Sequence, residues 1–84
     1  MTLSNVYTTK DTAFATYLIL KNYQLIRIDY TQSRYEYHFA HDNGIEEHAS
    51  DYFNGKSLAD PAEFMRVNRK LVGVIHNKAQ WVEL

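Results

Sequence analysis

Apolar residues recur along the chain with two periods, and each change of period marks an element boundary. From Lys10 to Lys21 the period is helical. Phe14, Tyr17, Leu18 and Lys21 fall at i, i+3, i+4 and i+7, with Ala13, Tyr17 and Leu20 as an adjoining stripe. Phe14 to Leu20 is apolar on nearly every side, so this helix is expected to be the most buried element. Thr8-Thr9-Lys10-Asp11 has the spacing of a capping box, in which a threonine oxygen accepts from an orphan N–H and Asp11 favours the positive helix end. Asn22 suits the left-handed position beyond the last turn.

From Gln24 the period falls to two. Ile26, Ile28 and Tyr30 alternate with Leu25, Arg27 and Asp29; further on, Tyr35, Tyr37, Phe39 and His41 alternate with Arg34, Glu36, His38 and Ala40. A hairpin turning at Gln32-Ser33 sets Tyr30 opposite Tyr35, Ile28 opposite Tyr37 and Ile26 opposite Phe39, all on one face. The other face sets Asp29 directly against Glu36, with Arg27 and Arg34 diagonal to them. Gln32-Ser33 is a weak two-residue turn, which leaves room for a longer loop. Residues 1–7 read as a loose lead-in, in which Val6 and Tyr7 suit a short edge strand.

Asp42-Asn43-Gly44 ends the hairpin. A second helix from about Ile45 to Phe53 places Ile45, Ala49, Tyr52 and Phe53 on one side, and Asn54-Gly55 stops it. Asp60-Pro61-Ala62-Glu63 opens a third helix with an N-cap acid, proline at the first position and an acid at the third. It is expected to run to about Asn77, with Phe64, Val67, Leu71, Val72 and Ile75 inward and Arg66, Arg69 and Lys70 outward. Gly73 inside it suggests a close helix approach. The order α-β-β-α-α predicts a single α+β domain over residues 1–84: an antiparallel β-hairpin packed against helices, followed by an apolar tail at 79–84.

Composition narrows the chemistry. Eighty-four residues, 45% hydrophobic and without cysteine, make one compact domain and exclude thiol catalysis and cysteine-built metal sites. No apolar run approaches the ~20 residues of a membrane span, and the polar start does not read as a signal peptide, so no membrane partner and a cytoplasmic location are expected. A core of this size leaves little depth for a catalytic cleft, which favours a binding module over an enzyme. No nucleophile elbow or phosphate-cradling glycine loop is present, and Glu46 and Glu47 are sequence neighbours that do not share a helix face. His38, His41, Asp42, Glu47 and His48 have metal-ligand chemistry, but His38 and His41 lie three residues apart on one strand and point to opposite faces. No metal and no cofactor are therefore expected.

The net charge of −1 hides segregation. Residues 36–63 carry seven acids against Lys56 alone, whereas 64–80 carry Arg66, Arg69, Lys70 and Lys78 and no acid. Such a dipolar chain pairs its own helices, solvates them separately or docks one face on a charged partner. Two functional surfaces follow. Tyr7, Tyr23, Trp81, Val82 and Leu84 lie at or beyond the element ends and suit a protein-interaction surface, given seven tyrosines in so short a chain. Arg66, Arg69, Lys70 and Lys78 suit phosphate contacts, making nucleic-acid binding the alternative. Tyr30, Tyr35, Tyr37 and Phe39 would serve as a base-stacking platform only if the helices did not need that face for the core.

Tyr7 to Asp11, Ala15 to Asn22, Tyr23 to Ile28, the aromatic strand at Tyr35 to Phe39, Tyr52-Phe53-Asn54-Gly55 and the Asp60-Pro61 helix start together resemble an uncharacterised small-domain family of bacteria and their phages. The resemblance covers residues 7–75, with Asn22 where the family has a glycine, and it transfers no catalytic residue. It implies a non-enzymatic accessory protein of phage or mobile-element origin and does not identify the partner; the surfaces above suit a host or phage protein. With the surplus tyrosines and the apolar tail, the expected function is binding of another protein together with self-association into a homo-oligomer.

Overall fold

A computed structural model of the chain describes residues 6–31, 33–41, 43–56 and 59–82. The elements are β1 (Val6–Thr9), α1 (Thr12–Leu20), β2 (Leu25–Asp29), β3 (Glu36–Ala40), α2 (Asn43–Phe53) and α3 (Pro61–His76). The fold is α+β, with three helices and a three-stranded antiparallel sheet in the order β1-β3-β2. The edge strand suited to Val6 and Tyr7 forms, and it extends to Thr9, taking in Thr8, where a helix-capping role was expected to begin. Thr8 faces His38 across the sheet and does not cap the helix. Asp11 is the N-cap: its carboxylate accepts from the Phe14 N–H at 3.0 Å, while Thr9 Oγ1 accepts from the Asp11 N–H.

Register follows the sequence up to Ile28. Ile28 pairs with Tyr37 and Asp29 with Glu36, as alternation requires. Beyond that point a bulge between Leu25 and Arg27 shifts the strand by one residue. Leu25, not Ile26, therefore faces Phe39 and is buried, and Ile26 is half exposed. The turn is longer than two residues; Asp29 Oδ1 accepts from both the Thr31 N–H and the Thr31 hydroxyl and shapes its start. Gln32 of the expected turn pair lies outside the described residues.

Five consecutive α1 residues, Phe14 to Leu18, are buried. Burying all sides of a helix requires cover from several directions. The sheet supplies Ile28, Tyr37 and Phe39, α2 supplies Ile45, and α3 supplies Leu71 and Ile75. Each such side chain contributes about 1.5–3 kcal/mol of transfer free energy, more than a helix cap at ~1 kcal/mol. The Phe14 ring lies 5.0 Å from the rings of both Tyr52 and Phe53 and meets Tyr7 edge-on. Three hydroxyls of this core are paired. Thr12 Oγ1 and the Tyr37 hydroxyl share a 2.7 Å hydrogen bond, and the buried Thr16 hydroxyl lies 3.0 Å from both the Thr12 carbonyl and Asn68 Oδ1.

All three helices end the same way. Asn22, Gly55 and Lys78 each take a positive φ, and the next residue returns its N–H to a carbonyl five residues back (Tyr23 to Leu18, Lys56 to Asp51, Ala79 to Val74). Asn22 and Gly55 are the residues singled out for this role. Two expectations for α3 are corrected. Val72 is exposed, because the buried stripe runs Val67-Leu71-Ile75 in steps of four and leaves Val72 one residue out of phase. Gly73 marks no close approach, since a Cβ built there meets nothing within 4 Å.

Gly73→Ala should therefore stabilise the protein by about 0.5–1 kcal/mol through helix propensity, read as a Tm increase of roughly 4 °C. A second expectation concerns alkali. Burial raises the pKa of Tyr7, Tyr17, Tyr30, Tyr37 and Tyr52 above 10.0. A folded-state pKa above the unfolded value contributes stability that is complete below the unfolded pKa and lost as pH rises through the folded one. The tyrosinate absorbance of these five residues should thus appear together with loss of helical circular dichroism above pH 10, and not before it.

Candidate functional site

The residues after α3 fold back as a strap. Lys78 turns the chain in its left-handed conformation, and the Ala79 carbonyl accepts from the Tyr30 hydroxyl at 2.6 Å. The Gln80 amide then meets the backbone of Ile28. Its Oε1 accepts from the Ile28 N–H at 2.7 Å and its Nε2 donates to the Ile28 carbonyl at 2.9 Å. β2 is an edge of the sheet, so Gln80 occupies the two bonding positions a further strand would use there. Trp81 packs partly buried against the core, with the Lys70 ammonium 4.5 Å above its ring.

The strap, α1 and α3 enclose a groove of about 490 Å³ lined by Ile19, Leu20, Asn22, Glu63, Arg66, Val67, Lys70 and Trp81. Buried Val67 and half-buried Ile19, Leu20 and Trp81 make its floor, and exposed Glu63, Arg66 and Lys70 its rim. Arg66 donates to Glu63 at 2.7 Å, an exposed pair that is worth little in water and leaves the cation available. The Trp81 indole N–H is buried and has no acceptor among the described residues. Chemically, the groove suits an extended or helical segment that presents apolar side chains with carboxylates beside them.

The structure distributes the interaction residues read from the sequence. Trp81 lines the groove and Val82 lies exposed beside it, its carbonyl 3.5 Å from Lys70 Nζ. Tyr7 is on β1 against Phe14, and the Tyr23 hydroxyl shares a 2.7 Å hydrogen bond with His48 Nδ1, so neither joins that surface. Leu84 lies outside the described residues. Of the basic set, Arg66 and Lys70 reach the groove, Arg69 is exposed on α3 away from its lining, and Lys78 serves the helix end. Among the described residues no ion pair joins the α2 acids Glu46, Glu47 and Asp51 to these cations. Between the two charge blocks, Arg66 pairs with Glu63 within α3, whereas the acids of α2 have no such partner on α3 among the described residues.

The histidines also separate. His48 is with Tyr23, His41 Nε2 lies 3.7 Å from Glu46, and His38 lies on the outer face of the sheet near Glu36. Asp29 completes that last group; hydrogen bonds from the Thr31 hydroxyl and amide hold its pKa below the ordinary carboxylate value, with a smaller contribution from Arg27. Asp29 opposite Glu36 was legible from the register, and His38 shares their face two residues on. Gln80, Ile19 and Leu20 carried no functional signal in the sequence. No helix among the described residues is long and apolar enough to cross a membrane.

A family model, that of a domain of unknown function (DUF5659), matches residues 4–77. No curated protein and no solved structure matches the chain.

Gln80→Ala should cost about 1–3 kcal/mol, the value of two hydrogen bonds to partly buried backbone, and should speed hydrogen exchange at the Ile28 amide. Urea unfolding and exchange measured by NMR check both.

Proposed function

We propose a non-enzymatic binding role for this chain, which belongs to the DUF5659 family of domains of unknown function. Its partner is a protein segment that is both acidic and apolar, held in the groove between α1, α3 and the strap. The observation that carries this reading is the pairing of an apolar floor (Leu20, Val67, Trp81) with a cationic rim (Arg66, Lys70). The chain itself carries a segment of that kind. On α2, Phe53 is exposed on a helix that also bears Glu46, Glu47 and Asp51. Charge complementarity between this helix and the groove of a second copy supports self-association. The resemblance to a phage-borne family extends the reading to an accessory protein acting on a host or phage protein in the cytoplasm.

Nucleic-acid binding through Arg66, Arg69, Lys70 and Lys78 is the second reading. It is favoured by the exposure of these cations and by the absence of α2 acids paired to them among the described residues. The tilt towards protein comes from the groove's apolar floor, which phosphates have no use for.

Trp81 is the chain's one tryptophan, so its emission reports on the groove without a label. Light scattering should give a mass above the monomer that falls with added salt. Arg66→Glu with Lys70→Glu should weaken association at least tenfold, and peptides copying residues 43–55 should shift Trp81 emission. A monomer up to about 1 mM whose emission no such peptide shifts overturns the proposal. Retention of an oligonucleotide at ~50 mM salt, lost on changing Arg66, Arg69 and Lys70 to glutamate, would replace it with the second reading.

A further inference from the structure

The outer face of the sheet, away from the groove, holds a different kind of constellation. Asp29 on β2 lies directly across from Glu36 on β3, and His38 follows on the same face. One donor atom from each lies within 4.8 Å of the other two, and all three residues are half-buried.

Four observations distinguish this group from solvated surface charge. Two carboxylates directly opposed on paired strands repel each other, and the Thr31 amide and hydroxyl both donate to Asp29 Oδ1. His38 Nε2 is shielded from solvent yet has no hydrogen-bond partner among the described residues, although Glu36 Oε1 is 3.2 Å away. A buried nitrogen left in this way is costly, and its lone pair suits a cation. The 3.2 Å spacing also matches two ligands of one tetrahedral ion, which bonds of ~2.0–2.1 Å hold about 3.3 Å apart. Thr31 fixes one oxygen of Asp29 and so orients the carboxylate, as partners of metal-binding carboxylates do. Arg27 stands 4.0 Å from the other oxygen; its side chain is more than half exposed and free to swing into solvent.

We propose that Asp29, Glu36 and His38 bind a divalent cation of borderline softness, zinc or an ion of like preference, on the outer face of the sheet. One imidazole nitrogen with two carboxylates favours such an ion over magnesium or calcium, which take oxygen alone. Water completes the shell. The bound ion cancels the Asp29–Glu36 repulsion, satisfies His38 Nε2 and ties β2 to β3. The expectation of no metal rested on His38 and His41 pointing to opposite faces of one strand; the ligands proposed here lie instead on two neighbouring strands.

The test uses the full chain stripped of metal with a chelator, titrated with zinc chloride by calorimetry and by thermal unfolding. One ion per chain should bind, and a hundredfold excess over Kd should raise Tm by about 10 °C or more. Glu36→Gln and His38→Gln should each weaken binding at least tenfold, while His41→Ala and His76→Ala leave it unchanged. In the unaltered chain, zinc should move the His38 imidazole NMR signals, a readout that stands even where a variant fails to fold. Absence of heat and of any Tm shift at ~1 mM zinc overturns the proposal. So do binding that survives both ligand variants, His38 signals that stay fixed, and magnesium binding as tight as zinc.

Discussion

Everything in this fold is arranged around the burial of one short helix. Nine residues of α1 would not hold a helix in water, and five of them in succession are buried. A helix that presents an apolar surface in every direction cannot be served by a single layer. The sheet brings Tyr37 and Phe39 to the core around it, α2 brings Ile45 and Tyr52, and α3 brings Leu71 and Ile75. The few polar atoms admitted, the hydroxyls of Thr12, Thr16 and Tyr37, find partners across element boundaries. Those bonds fix how the sheet and α3 sit against α1, so specificity is supplied at the same place as burial.

Most of this was legible where the signal was local. Asp60 before Pro61, Asn22 and Gly55 after their helices, and the Ile28–Tyr37 and Asp29–Glu36 pairs depend on neighbouring residues or on a short hairpin. What escaped depends on distant chain. The bulge at Ile26 is decided by which of two adjacent apolar residues fits against Phe39, and alternation cannot see that. β1 pairs with β3 across the whole of α1 and β2, so Val6 and Tyr7 showed strand composition without showing a partner. Val72 read as core because it is apolar, although the phase of Val67, Leu71 and Ile75 already excluded it.

The candidate site divides in the same way. The cations of α3 were visible as a run without acids, and Trp81 as an apolar residue in need of cover. That they form one groove was not visible. Its other wall is Ile19 and Leu20, which belong to a helix apolar on nearly all sides, where periodicity says nothing about direction. The outer-face group was half visible: the opposed acids followed from register, while His38 was weighed against other histidines and not against the carboxylates beside it.

The strap gives these surfaces a relationship that no single contact reveals. Gln80 closes the edge of β2 and Trp81, the next residue, forms part of the groove. Two adjacent residues cannot be released independently, so the two surfaces share one local opening equilibrium. Whatever braces Trp81 in its seat also keeps the β2 edge sealed, by the same free energy. Whatever lifts it exposes an unsatisfied strand edge and dismantles the groove in one step. The seating of Trp81 and the closure of the β2 edge are therefore a single structural event.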